Sequence, residues 1–189
     1  TLPIYLINLD GSHERLASAS SQLDAAGLSF ERVAAFDGRG RAVSEFPDYD
    51  AKATLHNMGR PLRGGEIGCY LSHLECARRF VATGADFALV LEDDMQLTLD
   101  AAQVLKHMQA WLQARPVDWD LINLGPNKLK ISTPLRKFDS PDQSYLLARA
   151  HYFPVRLTGL LWSRVGATTF VEQHRRIFAP VDNYFQHWL

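Results

Sequence analysis

The chain has 189 residues, 47% apolar and 22% charged, the composition of an ordinary globular protein long enough for one domain whose core needs no staples. Twenty Lys and Arg against 21 Asp and Glu give a formal net charge of -1, which argues against nucleic acid as the main ligand, since phosphate binding needs a basic surplus. No apolar run nears the ~20 residues that span a bilayer. The chain opens on no secretory signal, and it lacks an initiator Met.

Pro3 to Asn8 (PIYLIN) reads as a buried strand ending in polar residues. Ser12 is a candidate N-cap for a helix carrying Leu16, Ala19, Leu23 and Ala26 on one face, stopped by Gly27. Ser29 to Ala34 is a second strand, so the chain starts strand–helix–strand, as a parallel α/β sheet does. Phe36 to Arg63, with Gly38, Gly40, Gly59, Pro47 and Pro61, reads as a long loop holding one short helix. Ile67, Tyr70, Leu71, Leu74, Ala77 and Val81 then mark a helical face closed by Gly84. Phe87 to Leu91 (FALVL) is apolar throughout, like a central parallel strand covered on both faces. Asp100 caps a helix with Val104, Leu105, Met108 and Leu112, and Trp119 to Leu124 is another strand. Gly125 to Ser144, broken by Pro126, Pro134 and Pro141, reads as a second long loop. Tyr145 to Ala150 and Leu157 to Trp162 read as strands, and Val165 to Gln173 as a short helix. Cys69 and Cys76, if on one helix, lie ~10.5 Å apart along it at ~1.5 Å per residue. A disulfide needs Cα atoms within ~7 Å, so both are expected free, as suits a reducing compartment.

The sharpest chemical signal is Glu92-Asp93-Asp94, directly after the apolar strand. Acids there stand at the carboxyl edge of the sheet, where open α/β sheets bind ligands, and hard divalent cations take carboxylate oxygens together with substrate phosphates. The bland alternative is a solvated acidic turn; the spacing is not that of an EF-hand. Gly64-Gly65-Glu66-Ile67-Gly68 opens a helix, whose N-terminal amides attract phosphate; otherwise it is a hinge whose Glu66 complements the dipole. Gly38-Arg39-Gly40 lacks the rest of a dinucleotide pattern. Ser72 and His73 are helix neighbours pointing ~100° apart, so they form no nucleophilic dyad. The seven histidines show no zinc spacing. Lys128, Lys130, Arg136 and Lys137 make a basic cluster suited to solvent, an anionic lipid or an acceptor. Asp182, amid Phe178, Tyr184, Phe185 and Trp188, reads as the N-cap of a last helix or as a general base.

Together these segments resemble glycosyltransferase family 25, the bacterial lipooligosaccharide galactosyl- and glucosyltransferases related to the collagen galactosyltransferases. The matches are Ile4 to Asp10 (IYLINLD) with Glu14-Arg15, Ala35-Phe36-Asp37-Gly38, Gly65 to His73 (GEIGCYLSH), Leu91-Glu92-Asp93-Asp94 and, more weakly, Pro180-Val181-Asp182, spread over essentially the whole chain. The resemblance implies a single GT-A-like, Rossmann-type α/β domain over residues 1–189, a mostly parallel sheet flanked by helices, and a chain cut short after the last motif, where family members usually continue. It implies an inverting transferase that moves galactose or glucose from a UDP-sugar to a saccharide or lipid-linked saccharide in lipopolysaccharide synthesis, in bacterial cytoplasm or peripherally at the inner membrane face. Mn²⁺ or Mg²⁺ would be held by Asp94 and Glu92. Asn8, Arg15, Gly65, Glu66, Ser72, His73, Glu92 and Asp93 would line the donor site, and Asp182 would be the base. The rival readings are a non-catalytic GT-A-like module that binds nucleotide or a partner, and a metal-dependent phosphohydrolase, for which further acids or histidines at strand ends are missing.

Overall fold

The computed structural model describes residues 2–114, 119–126, 128–141, 143–174 and 176–189. In chain order these form β1 (Ile4–Asn8), α1 (His13–Ala25), β2 (Glu31–Ala34), α2 (Ala51–Met58), α3 (Gly64–Thr83), β3 (Phe87–Glu92) and α4 (Ala101–Gln113). There follow β4 (Leu121–Asn123), β5 (Ser132–Asp139), β6 (Ser144–Ala150), β7 (Gly159–Ser163), α5 (Arg164–Gln173) and α6 (Val181–Trp188).

Five strands make one sheet in the order β2-β1-β3-β7-β4. β1 pairs parallel with both β2 and β3, whereas β7 runs antiparallel to β3 and β4. The sheet is therefore mostly parallel and flanked by helices, the Rossmann-like α/β architecture that the sequence motifs implied, with β7 as its one reversed strand.

Strand periodicity divides the core in two. Tyr5, Ile7, Val33, Ala88, Val90, Leu160 and Trp162 face α3, α5 and α6, meeting Tyr70, Leu74, Phe80, Phe170 and Phe185. Ile4, Leu6, Leu89, Leu91 and Leu161 face the other way, against Ala19 and Leu23 of α1, Leu105, Met108 and Leu112 of α4, and Phe138 of β5. Every residue of β1 and β7 is buried, which is why these strands read as unbroken apolar runs rather than alternating ones.

Several expectations need correction. The second long loop instead holds β5, which pairs antiparallel with β6 in a two-stranded hairpin. Of β5 only Phe138 is buried, so it has no apolar signature, and Pro134 is tolerated beside an irregularity in the pairing. The first loop contains α2 and a 3₁₀ turn at Val43–Glu45. Ser12 and Asp100 sit at N-cap positions but make no side-chain cap. The Asp100 carboxylate instead takes the hydroxyls of Ser140 and Tyr145, tying the hairpin to α4. As expected from their spacing, Cys69 and Cys76 are both free. Among the described residues, no helix is long and apolar enough to cross a membrane.

Candidate functional site

From β1 the chain crosses through α1 to β2 on one side, then returns past β1 through α3 to β3 on the other. The carboxyl ends of β1 and β3 thus form a topological switch point, where parallel sheets open a crevice. A cleft of about 250 Å³ lies there, lined among others by Arg15, Phe36, Gly38, Arg39, Gly65 and Asp94.

The three acids diverge. Glu92 turns toward α3, where His73 Nε2 is 2.9 Å from its Oε1 and Cys69 Sγ is 3.7 Å away. Asp93 turns across the switch point and accepts from Asn8 Nδ2 at 2.7 Å and, at the limit of bonding, from Arg15 at 3.5 Å. Asp94 is exposed on the cleft and has no hydrogen-bond or ion-pair partner among the described residues. A hard divalent cation fits this donor set: Asp94 offers two free oxygens and Glu92 one not taken by His73.

Supporting residues fix that divergence. Asn8, 2% exposed, donates to the Ser12 carbonyl and Asp93, while Arg32 donates to its Oδ1, so its amide is fully used in aiming Asp93. His73 is wholly buried beneath Glu92, and its Nδ1 has no hydrogen-bond partner among the described residues. Asn8 and His73 are thus placed behind the cleft, as supports for acids that line it, and not on its surface as a donor-binding role would require. Arg15 stands on the cleft wall with its side chain 64% exposed, free to reach a ligand.

The glycine motifs are explained by one close backbone crossing. The Phe36–Gly38 strip lies against the first turns of α3, and a Cβ on Gly68 would stand 2.3 Å from the Phe36 carbonyl oxygen. Gly38 and Gly64 meet with no room for a side chain on either. Ser72 fastens the crossing: its hydroxyl accepts from Phe36 N–H and donates to the Gly68 carbonyl, both at 2.8 Å. Ser72 therefore borders the cleft chiefly as a clamp. Glu66, expected against the donor, instead caps its own helix by accepting from Arg63 N–H at 2.7 Å and pairs with Arg60. The bond from Arg60 and burial act oppositely on its carboxyl, and the bond prevails, holding it below the usual range. Gly65 alone of this turn opens to the cleft.

Two cleft residues lie inside the quoted motifs but have no role assigned there. Asp37 accepts three bonds from Arg39, two from its guanidinium and one from its N–H, which hold the carboxyl down to about 2. Cys69 opens to the cleft one helical turn before His73, and burial with the nearby carboxylates pushes its thiol up. The signal for Cys69 was present: a Cys and a His at i and i+4 share a helix face.

Asp182 lies in the first turn of α6, two residues after Pro180 at the N-cap position, where its charge complements the helix dipole. It accepts from Asn183 N–H at 2.8 Å and acts electrostatically on the Cys69 thiol, as Asp94 does. Asp182 is not among the residues that line the cleft. The basic cluster sits on the β5–β6 hairpin and the approach to it, with Lys130 over the Tyr152 ring at 4.3 Å.

Known proteins match the chain over most of its length. The chain is 28% identical over 185 residues to procollagen galactosyltransferase 1 of Danio rerio, covering 96% of this chain and 30% of that protein. It is 31% identical over 191 residues to a glycosyltransferase 25 family member of Aedes aegypti, again covering 96% of this chain and 30% of the relative. A segment of 67 residues, 35% of this chain and 11% of the relative, is 39% identical to the human inactive glycosyltransferase 25 family member 3. The chain therefore spans about 30% of the length of the relatives it matches end to end. The model of glycosyltransferase family 25 (LPS biosynthesis protein) matches residues 1–185, and the chain belongs to that family.

Proposed function

We propose that the protein is a metal-dependent, inverting hexosyltransferase that takes galactose or glucose from a UDP-sugar and delivers it to a saccharide or lipid-linked saccharide acceptor, in lipopolysaccharide-type synthesis in the bacterial cytoplasm. The observation that carries this reading is the cleft at the β1–β3 switch point, where the unpartnered Asp94 carboxylate shares a wall with Arg15. A cation and guanidinium donors both suit a nucleotide diphosphate, and an unpartnered carboxylate beside Arg15 supports that reading.

Asp94 and Glu92 would hold Mn²⁺ or Mg²⁺, which when bound neutralises charge growing on the departing diphosphate. Arg15 offers donors and a flat face to the nucleotide, and it stands 3.5 Å from the Asp93 carboxylate. Asn8 holds Asp93 from below, and His73 holds Glu92. Inversion is a single displacement, so one base takes the acceptor hydroxyl's proton. Asp182 is assigned that role as the acid of the weaker family motif, standing outside the triplet on α6. The cations of the hairpin are the surface for an anionic acceptor or a peripheral membrane contact.

A non-catalytic nucleotide-binding module is the second reading, favoured by the 39% identity of one segment to a relative named inactive. Turnover of UDP-galactose and UDP-glucose with Mn²⁺ and mixed saccharide acceptors tests the choice. Transfer abolished by chelation supports the enzyme; UDP binding with no transfer to any acceptor and no donor hydrolysis supports the module.

A further inference from the structure

The floor of the cleft carries a second donor set of different chemistry. Cys69 Sγ, His73 Nε2 and Glu92 Oε1 all lie within 4.8 Å of one another. A thiolate and an imidazole beside a carboxylate make a set that suits zinc rather than the harder Mn²⁺ or Mg²⁺, which favour oxygen ligands alone. Tetrahedral Zn²⁺ with ~2.0–2.3 Å bonds sets its ligand atoms ~3.4–3.6 Å apart. The sulfur-to-carboxylate distance is already 3.7 Å, and the imidazole-to-carboxylate distance of 2.9 Å needs to open by about half an ångström. Cys69 and His73 share one helix face at i and i+4, so α3 presents both to the same side, within 4.8 Å of each other.

We propose that Cys69, His73 and Glu92 form a site for one thiophilic divalent cation, Zn²⁺ or Cd²⁺, that shares Glu92 with the Asp94 cation seat. Water or a donor oxygen completes the tetrahedron from the cleft side, so the site is of the open kind. On binding, the Cys69 thiol proton leaves to solvent and the His73 proton resides on Nδ1. That nitrogen is buried with no acceptor, whereas metal-bound histidines ordinarily donate to a second group. Affinity is therefore expected ~10–100-fold below that of a site with this support. Because Glu92 belongs to both sets, Zn²⁺ at this site displaces or weakens the harder cation, a built-in point of inhibition that rests on the transferase reading for its consequence but not for its existence.

The test is titration of the protein with Cd²⁺ alone, without nucleotide and under a non-thiol reductant, following the thiolate-to-cadmium charge-transfer band in the ultraviolet. One equivalent should bind with the band present. Cys69→Ser should abolish it, while Asp94→Asn and Cys76→Ala should leave its full amplitude. A band that survives Cys69→Ser, one that disappears with Asp94→Asn, or none in the unaltered protein would overturn the assignment. None of these outcomes depends on transferase activity, so a catalytically silent protein still gives the answer.

Discussion

Gly68 and Gly65 share α3 and differ in what stands over them, which makes a matched pair of alanine substitutions a quantitative test of the backbone crossing. In Gly68→Ala the new methyl would lie 2.3 Å from the Phe36 carbonyl oxygen and 3.0 Å from Gly38 N. An ordinary carbon–oxygen contact is ~3.3 Å or more, so the strip must retreat by about 1 Å. It has little freedom to do so, because Phe36 N–H is bonded to Ser72 at 2.8 Å and Gly38 is wedged against Gly64. Overpacking costs ~1–3 kcal/mol, and an immovable backbone oxygen places this case near the top. Helix propensity returns up to ~1 kcal/mol, leaving a net loss of ~2 kcal/mol. At ~2–4 °C per kcal/mol for a chain of this size, Tm should fall by ~4–8 °C. In Gly65→Ala the nearest neighbour is the Arg39 Cγ at 3.7 Å, an ordinary contact, so propensity acts alone and Tm should hold or rise by up to ~4 °C. Thermal unfolding of both variants by circular dichroism decides the matter. Equal shifts, or a Gly68→Ala protein that melts higher than the parent, would refute the crossing as the reason for the glycine motif.

The cleft makes four further predictions. Mn²⁺ should tighten UDP binding in calorimetry and Asp94→Asn should remove that gain; equal affinity with and without the ion counts against a metal-bridged donor. Arg15→Ala should weaken UDP binding with Tm unchanged, since its side chain is 64% exposed, and an unaltered titration would make it a mere surface arginine. Asp182→Asn should lower turnover by ~10²–10⁴-fold with UDP binding preserved, and a near-normal rate would end its assignment as the base. Asp37 titrates at about 2 because Arg39 binds its charged form, so what the pair contributes is present above the ordinary 3.8 and is lost as pH falls through about 2. In Arg39→Ala the Asp37 midpoint, followed by carboxyl NMR, should climb toward 3.8, and a midpoint that stays low would mean another group holds it down.

What the sequence revealed followed burial. β1 and β3 were legible because both of their faces are covered, and α3 because its apolar stripe and Gly84 stop are local features. β5 was not, since a hairpin lying over α4 through Phe138 leaves the rest of its strand in water. The reversal of β7 was hidden too: an apolar run says that a strand is central, not which way it points. In the site, the acid triplet was found by charge alone, yet its division of labour depends on partners 19 and 85 residues away, His73 and Asn8. Glu66 misled because a glutamate three residues into a helix serves its own N-terminus as readily as a ligand. Cys69 was passed over because the histidines were tested for zinc spacing against one another and not against a cysteine.

The distance between the two central motifs is itself a structural quantity. From His73 to the end of α3 at Thr83 the helix descends ten residues, ~15 Å at 1.5 Å each. Gly84, at a φ of 72°, stops it in the left-handed conformation that a side chain would oppose. β3 then climbs five steps from Phe87 to Glu92, ~16 Å at 3.3 Å each. Descent and ascent nearly cancel, so Glu92 returns to the level of His73, and the 2.9 Å contact between them closes the circuit. Asp93 and Asp94 overshoot that level by one and two residues, which carries them past the buried histidine toward the open turn at Cys69 and Gly65. Helix and strand rise thus decide which acid is held and which is left free. A longer α3 with the same β3 would seat Glu92 against a lower turn of the helix and draw Asp94 down from the cleft, so the spacing between the glycine motif and the acids sets where the free carboxylate stands as surely as the acids themselves do.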